Sequence, residues 1–385
     1  MLYIHHTACI SPQSTSFLRS GGDASDGPVG DQTRVVPPLG AGSPPEGTIA
    51  GPVDGVYKAA EPDYPGIPAN VLRRMSKAVR LGLGAALSLL QQGDPDGILI
   101  GTGNGGMEES VKFLRQIVDY AEGMLAPGHF VQSIPNAIAS QIGLSSHNRG
   151  YNITYAHRGL GFEHALIDAA MLVSEHAGNR YLVGGVDEFS SYHYQIELAD
   201  GWYKRPVRPG VSLYDYDSPG SIAGEGAALF LVSGEPTDTP TAGLLPAGAL
   251  AAGALAAVRG IDTLHSTDEQ VVASRLRAFL EQYLPAGRQP GLFLTGENGD
   301  NRALPFYTAC EKVLDASVPI ARFKHLCGEY PTASAFALWL ALQLGQPLPG
   351  HMLKRPGIAT DLQYILLYNS HKLTQHSFIL LQRFR

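Results

Sequence analysis

Two basic side chains stand at a turn that joins a predicted strand to a predicted helix near the middle of the chain. Residues 152–161 read Asn-Ile-Thr-Tyr-Ala-His-Arg-Gly-Leu-Gly, which places His157 and Arg158 at the turn. A thiol at such a turn would be activated as a nucleophile by the helix N-terminus and by neighbouring histidines. Histidine cannot form a thioester, so His157 is either a base, a hydrogen-bond donor, or a residue that only fills space, and the last interpretation is favoured.

The three cysteines of the chain lie elsewhere, at Cys9, Cys310 and Cys327. Free cysteines usually behave as small buried hydrophobic residues, and we interpret all three in this way. Three cysteines do not indicate a disulfide framework, and they favour a reducing compartment. The sequence contains no His-Glu-x-x-His, paired Cys-x-x-Cys or Gly-x-Ser-x-Gly motif, so no metal site is expected and serine esterase chemistry has no support.

A glycine-rich turn follows a short apolar strand predicted at residues 97–100. The pattern Gly101-x-Gly103-x-x-Gly106 precedes a predicted helix and fits a dinucleotide fingerprint, in which backbone amides hold a pyrophosphate. No following strand ends in an acidic residue, because Asp119 lies in a helical stretch. The favoured interpretation is a tight turn that lets two backbones approach, and no cofactor is expected.

The elements around these turns repeat. Residues 97–106 align without a gap with residues 291–300, including the Asn-Gly pairs at 104–105 and 298–299. Each part of the chain also ends in two predicted antiparallel strands, near 181–186 and 227–232 and near 364–368 and 377–381. The repeat predicts an α/β fold built from two similar halves, 1–240 and 241–385, with the boundary in the Pro-, Thr- and Gly-rich stretch 234–250.

Other segments complete the prediction. Residues 1–10 are expected to form a strand, and residues 71–90 a helix, because apolar residues recur there at helical spacing. Residues 20–55 are rich in Gly, Pro, Ser and Asp and predict a surface excursion.

Composition limits the class of protein. The chain has 385 residues, 44% hydrophobic and 16% charged, with a net charge of −7, which is ordinary for a soluble globular protein and gives no general attraction to nucleic acid. No apolar run reaches the length of a membrane helix, and the N-terminus lacks the features of a signal peptide. A cytoplasmic location is expected.

Five segments in the same order and spacing resemble the β-ketoacyl synthase (thiolase-like) family. Besides the strand-to-helix turn and the glycine-rich turn, three stretches are similar to family motifs: Ser133–Ala139, Gly184–Glu188 and Ile222–Ala227. The resemblance covers most of the chain. It implies a five-layered αβαβα architecture with helices between two mixed sheets.

The catalytic positions of that family are altered in this sequence. The resemblance places either His157 or Arg158 at the nucleophile position, Thr295 at the first histidine and Glu329 at the second. Removing one donor that stabilises an oxyanion costs about 10²–10³ in rate, and without a thiol no acyl-enzyme forms. Glu297 and Glu329 are expected to add negative charge where an enolate would need stabilisation.

The altered positions resemble the chain-length factor of type II polyketide synthases. The stretches Tyr155–Gly159 and Gly328–Ala335 most resemble the divergent subunits of aryl-polyene and flexirubin pigment pathways. The resemblance implies a non-catalytic subunit that forms a heterodimer with an active ketosynthase and shapes the acyl or polyene channel. An acyl carrier protein with its phosphopantetheine-bound chain is an implied partner. Homodimerisation stays open. The alternative is an enzyme, a synthase or malonyl decarboxylase that uses His157 or Glu329, and a nucleotide-binding oxidoreductase is a third candidate.

Two groups of side chains are candidates for partner contact. Residues 129–146 are expected near the dimer interface, with interface or channel candidates Phe130, Val131, Ile134, Ile138 and Ile142, although core packing explains each as well. The densest basic cluster is the candidate for carrier docking, although a solvated helix face is its usual explanation: Arg73, Arg74, Lys77 and Arg80.

Overall fold

A computed structural model describes residues 1–13, 15–19, 34–36, 50–208, 210–238, 252–357 and 361–384. Its strands are β1 Leu2–Ile10, β2 Thr15–Arg19, β3 Arg34–Val36, β4 Val56–Tyr57, β5 Gly97–Thr102, β6 Tyr151–Ala156, β7 Arg180–Asp187, β8 Ala223–Gly224, β9 Gly226–Ser233, β10 Thr237–Asp238, β11 Ala252–Gly253, β12 Ala256–His265, β13 Leu292–Thr295, β14 Ile320–Arg322, β15 Leu353–Arg355, β16 Tyr364–His371 and β17 Gln375–Arg383. Its α-helices are α1 Ala69–Leu72, α2 Lys77–Leu90, α3 Met107–Asp119, α4 Pro127–Ser133, α5 Ala137–Ser146, α6 Gly161–Glu175, α7 Ser191–Ala199, α8 Glu269–Tyr283, α9 Leu304–Glu311, α10 Lys324–Cys327 and α11 Ala333–Gln343. Short 3₁₀-helices cover Arg158–Leu160, Leu213–Asp215 and Gly350–Met352.

The two halves have the same sheet topology. In the first half the strand order is β1-β9-β7-β5-β6, and in the second it is β12-β17-β16-β13-β14. In each half, three strands pair in parallel (β6, β5, β7 and β14, β13, β16), followed by two antiparallel pairings. The predicted duplication and the predicted strand pairs near the end of each half are therefore present. The predicted boundary at residue 240 lies outside the described residues.

Helices and sheets form five layers. One core packs α2 and α5 against the first half-sheet, and another packs α8 and α9 against the second. Between the half-sheets, α6 and α11 share a third core with strands of both halves. Because α11 is buried on nearly all sides, its sequence is apolar throughout, with the side chains of residues such as Phe336 and Leu338 fully enclosed. The predicted five-layered architecture is confirmed.

The two half-sheets are joined, rather than separate as the resemblance implied. Strand β1 pairs with β9 in its own half and with β12 of the other half through Leu2–Ile4. The two half-sheets are therefore continuous at this seam. Of the predicted excursion 20–55, the structure describes residues 34–36 and 50–55. Residues 34–36 form β3, which extends the sheet beside β2. The rest of the excursion lies outside the described residues.

The predicted helix at 71–90 is interrupted. Helix α1 ends at Leu72, and α2 begins after Ser76, whose side chain accepts a hydrogen bond from the backbone N–H of Val79. The apolar spacing is correct, because Met75, Val79 and Leu83 are buried. The prediction missed the break because a serine inside an apolar helical pattern also fits an uninterrupted helix, whereas here it is the N-cap.

The break before α2 predicts different changes in the free energy of unfolding for two serine substitutions. Ser76→Ala removes the cap and is expected to lower the free energy of unfolding by about 1 kcal/mol. Ser88→Ala, in the interior of α2, is the matched control and is expected to be neutral or slightly stabilising because alanine is the better helix former. Urea denaturation of both variants measures the difference; stabilisation by Ser76→Ala would indicate a continuous helix.

Candidate functional site

A cavity of about 320 Å³ lies where the parallel strands β5, β6 and β7 end. Carboxyl ends of parallel strands meet at one edge of a sheet, which is the usual position of a site in such folds. The opposite wall comes from the second half, through the turn between β16 and β17 and the loop before α11. Side chains of the wall include aromatic groups, Phe189, Tyr194, Tyr203 and Tyr330, and charged or titratable groups, Arg158, Glu188, His193, Glu197, His371 and Lys372.

The structure separates the two residues left open at the strand-to-helix turn. Arg158 lines the cavity, has φ of +48°, and donates its backbone N–H to the carbonyl oxygen of Gly103 at 3.0 Å. A non-glycine residue in this left-handed region is strained, and the surrounding turn must hold it there. His157 is not part of the cavity wall; it packs instead in a group of three histidines.

That group consists of His157, His164 and His265. The Nδ1 atoms of His157 and His164 are 3.0 Å apart, and the rings of His157 and His265 lie 5.8 Å apart. Burial, and then the neighbouring His157 and His265, lower the pKa of His164. The group is not a metal site: among the described residues, no cluster of histidine, cysteine and acidic side chains has the geometry to hold a metal ion.

Protein atoms occupy the space beside the glycine-rich turn. Asp187, at the end of β7, accepts hydrogen bonds from Gly103 N at 2.8 Å and from Thr102 Oγ1 at 3.0 Å. A Cβ on Gly103 would lie 2.3 Å from Pro331, and one on Gly106 would lie 2.1 Å from the carbonyl oxygen of Gln132. The close approach is therefore between protein segments, which supports the tight-turn interpretation over a dinucleotide fingerprint.

Glu329, predicted at the second histidine position, belongs to a buried ion pair. Its Oε1 lies 2.9 Å from Lys324 Nζ, and its Oε2 accepts a hydrogen bond from Asn298 Nδ2 at 2.8 Å. Burial raises the pKa of Glu329, but Lys324, His371 and the hydrogen bonds outweigh burial, so the pKa is lowered overall. Glu329 is therefore ionised, and the charge of Lys324 balances its own. It is a weak base, and it does not add the free negative charge that was expected.

Thr295 and Glu297 are also placed differently from the expectation. Thr295 is fully buried, accepts a hydrogen bond from Glu297 N at 3.3 Å, and does not line the cavity. The carboxylate of Glu297 pairs with Arg322 at 3.1 Å and with Lys354. Its charge is compensated by two cations, so the prediction that Glu297 adds negative charge to the site is wrong.

None of the three cysteines lines the cavity. Burial raises the pKa of Cys9, Cys310 and Cys327. For Cys327, burial outweighs the opposite effect of Lys324, and its thiol donates to the carbonyl oxygen of Gly328 at 3.3 Å. The thiols are therefore protonated and enclosed, as small buried residues should be.

Two of the four basic candidates for carrier docking have internal roles. Lys77 pairs with the fully buried Glu225, and Arg80 makes a two-pronged ion pair with Glu61 at 2.7 and 2.9 Å. Arg73 and Arg74 are exposed. The docking hypothesis is therefore reduced to this exposed arginine pair.

The interface candidates also divide into two groups. Ile138 and Ile142, at 2% and 0% exposure, lie in the core between α5 and the sheet, which supports the alternative of ordinary core packing for them. Phe130, Val131 and Ile134 are exposed by 54%, 57% and 47%. They lie on and just after α4, which packs against α3 and α5, and α5 in turn contacts β6. Strand β6 pairs only with β5 among the described strands and so leaves one edge free.

Some wall residues gave little or no signal in the sequence. Glu197 pairs with Lys372, 175 positions away, and with His193 Nε2 at 3.1 Å. Glu188 has its pKa raised to about 7, first by burial and then by Glu108, Glu109 and Glu225, against one hydrogen bond from Ala78 N. Asp187 and Glu188 did have a local signal, because both fall within the Gly184–Glu188 motif, but nothing in the sequence indicated the shifted pKa of Glu188.

Comparison with known proteins confirms the predicted resemblance. Residues 50–211 match the family model of the β-ketoacyl synthase N-terminal domain. No curated protein sequence matches the chain. The chain is similar in structure to the ishigamide ketosynthase/chain length factor, with a TM-score of 0.65, 17% identity and coverage of 99% of each chain.

Two further solved structures agree. One is a ketosynthase (ApeO) in complex with its chain length factor (ApeC) from Xenorhabdus doucetiae, with a TM-score of 0.70, 14% identity and coverage of 99% of this chain and 98% of that one. The other is a β-ketoacyl synthase from Burkholderia phymatum STM815, with a TM-score of 0.66, 14% identity and coverage of 100% and 99%. The chain therefore has the thiolase-like ketosynthase fold over its whole length. No helix in the described segments is long and apolar enough to cross a membrane.

The buried ion pair predicts a pH-dependent stability effect. Lys324→Met leaves Glu329 buried without its cation and is expected to lower the free energy of unfolding at neutral pH by about 3–5 kcal/mol. Because the native pKa of Glu329 is lowered, the pair contributes stability above the unfolded pKa and loses it as pH falls. The difference from wild type should therefore shrink as pH falls below about 4.5, the ordinary glutamate pKa, and through the lowered native pKa.

Denaturant titrations at neutral pH and at a pH below about 4.5 measure this effect. Lys312→Met, at an exposed lysine, is the matched control and should change stability by less than about 0.5 kcal/mol. A loss at Lys324 that is equally large at both pH values would contradict the charge-pair explanation.

Proposed function

We propose that this chain is a non-catalytic ketosynthase-like subunit that pairs with an active ketosynthase. The observation that carries the proposal is the turn between β6 and α6: an arginine, Arg158, faces the cavity there, and no thiol lines that cavity. We assign Arg158, rather than His157, to the nucleophile position, because it has the left-handed conformation and the cavity contact. A guanidinium group cannot carry an acyl chain as a thioester.

The remaining catalytic positions support the same proposal. Thr295 is buried away from the cavity, and Glu329 is engaged by Lys324 and Asn298. Neither residue supplies a hydrogen-bond donor for a developing oxyanion, and each such donor is worth about 10²–10³ in rate. Condensation on this chain alone would lack the nucleophile and both donors.

The free edge of β6 and the apolar residues beside it support pairing with another subunit. An unpaired strand edge offers backbone donors and acceptors to a partner strand. Exposed apolar side chains on the adjoining helices α3, α4 and α5 and their connections provide area that association can bury: Leu114, Val118, Met124, Phe130, Val131, Ile134 and Leu144. Single exposed apolar residues are ordinary, but a group on adjoining helices is typical of an interface.

The finer assignment is a chain-length-factor role in type II polyketide or fatty-acid-like biosynthesis, of the aryl-polyene or flexirubin type, in the cytoplasm. One solved neighbour is described as a ketosynthase in complex with its chain length factor, and another as a ketosynthase with an acyl-carrier protein in a type II system. In this role the subunit shapes the channel for the growing chain, while the partner provides the cysteine.

An enzyme that uses His157 or Glu329 is less well supported. His157 faces two other histidines rather than the cavity. Glu329 has a lowered pKa and two hydrogen-bonding partners, so it is a poor base. A nucleotide-binding oxidoreductase is disfavoured because protein atoms occupy the space around Gly103 and Gly106.

Pairing is tested by co-purification with the ketosynthase encoded beside this chain. We expect a heterodimer, and we expect Val131→Asp to weaken association by at least tenfold, because it puts a charge into an apolar interface core. Val271→Asp on α8, at 51% exposure against 57% for Val131, is the matched control and should associate like wild type. A chain that remains monomeric with its partner, or equal behaviour of the two variants, would remove support for the proposal.

Carrier docking is tested at the arginine pair. If Arg73 and Arg74 bind an acidic carrier protein, the double reversal Arg73→Glu/Arg74→Glu should weaken carrier binding by about tenfold or more, with the difference shrinking as salt is raised. Arg277→Glu, at an exposed arginine on α8, is the control. Binding measured by fluorescence anisotropy on the assembled pair distinguishes the outcomes; unchanged binding of the double variant places docking elsewhere.

A further inference from the structure

Arg158 is a cation without a counter-charge at the wall of the cavity. Its side chain is exposed and, within the segments that the structure describes, has no hydrogen bond or ion pair. Its backbone is held in the left-handed region by the turn, with the N–H bonded to Gly103. The chain therefore maintains a strained backbone that positions a free guanidinium group beside an open cavity.

The acidic groups of the same wall are already compensated. Glu197 pairs with Lys372 and His193, which outweigh its burial and lower its pKa to about 2. Asp187 accepts hydrogen bonds from the Gly103 turn and from Thr332 N and Oγ1 at 2.9 and 2.7 Å.

The other two carboxyl groups are also accounted for. Burial raises the pKa of Glu188 to about 7, so about half of this carboxyl group is protonated at neutral pH, and its Oε2 accepts a hydrogen bond from Ala78 N at 2.9 Å. Asp200 accepts a hydrogen bond from Trp202 Nε1 at 2.6 Å and lies within the electrostatic influence of Arg302. Lys372 is paired with Glu197, so in the described part of the chain Arg158 is the wall cation that remains without a partner for a ligand to meet.

The aromatic part of the wall suits a flat apolar group. The rings of Phe189 and Tyr194, and of Tyr194 and Tyr203, have centroids 5.1 Å apart in each pair and form a continuous aromatic surface. His371 is buried, and its Nδ1 lies 3.9 Å from Glu329, too far for a hydrogen bond. A volume of about 320 Å³ is at the small end of ligand pockets.

We infer that this cavity binds a free monocarboxylate with an aromatic or unsaturated tail, held at its carboxylate by Arg158 and packed against the aromatic wall. Guanidinium and carboxylate groups form paired, charge-assisted hydrogen bonds, which give orientation as well as affinity. Binding is non-covalent. It goes beyond the proposed pairing role, because it assigns a ligand to this chain's own cavity.

The test is calorimetric titration of the purified chain with cinnamate and with its neutral analogue cinnamamide. We expect cinnamate to bind at least tenfold more tightly than cinnamamide. Arg158→Asn should reduce cinnamate affinity at least tenfold; asparagine is chosen because it tolerates a left-handed backbone. Arg277→Asn, at an exposed arginine outside the cavity, should bind like wild type.

Three results would overturn the inference: no detectable cinnamate binding to the wild type, equal affinity for acid and amide, or unchanged affinity of Arg158→Asn. If the variant does not fold, judged by its melting curve, the comparison of acid and amide on the wild type decides alone. Failure of heterodimer formation leaves this test unaffected, so the two proposals fail separately.

Discussion

Asp187 is the connection on which the cavity depends. Its carboxylate lies at the end of β7 and receives hydrogen bonds from the turn after β5 and from Thr332, at the start of α11 in the other half. Gly103, held by Asp187, in turn accepts the backbone N–H of Arg158. One buried carboxylate thus fixes three strand ends, joins the two halves and positions the turn that faces the cavity.

This arrangement explains how the fold can keep the turn between β6 and α6 in place under the proposed non-catalytic role. Hydrogen bonds and close backbone packing hold the turn in place, and these do not require a thiol at position 158. Glu329 stands where the resemblance places a histidine. Its buried carboxylate is stabilised by the charge of Lys324, with which it pairs. Removing either member of such a pair leaves an uncompensated buried charge, so the pair tends to be kept or replaced as a unit.

Local patterns in the sequence predicted the fold well. The repeated segment at 97–106 and 291–300, and the two pairs of terminal strands, predict the duplicated topology because each depends on short-range apolar patterns. The break before α2 escaped prediction, since Ser76 acts through its cap geometry. The exposure of Val131 and the burial of Ile142 could not be separated, because both are apolar residues in short neighbouring helices, α4 and α5.

The site was less predictable, for a physical reason. The pairing of Glu197 with Lys372 joins residues from different halves, and no periodic pattern in the sequence predicts it. Lys324 and Glu329 are close in sequence, but only the folded loop at Gly328, with φ of +75°, shows that they meet. The choice between His157 and Arg158 depended on one residue of register, which sequence matching left open; the proposal of Arg158 rests on its cavity contact and its positive φ.

The most direct measurement of the central claim is intact-mass spectrometry of the assembled pair after incubation with an acyl-loaded carrier protein. The account predicts an acyl adduct on the partner ketosynthase and none on this chain. An adduct on this chain, at Cys327 or at any other residue, would show that it carries acyl groups itself and would contradict the account.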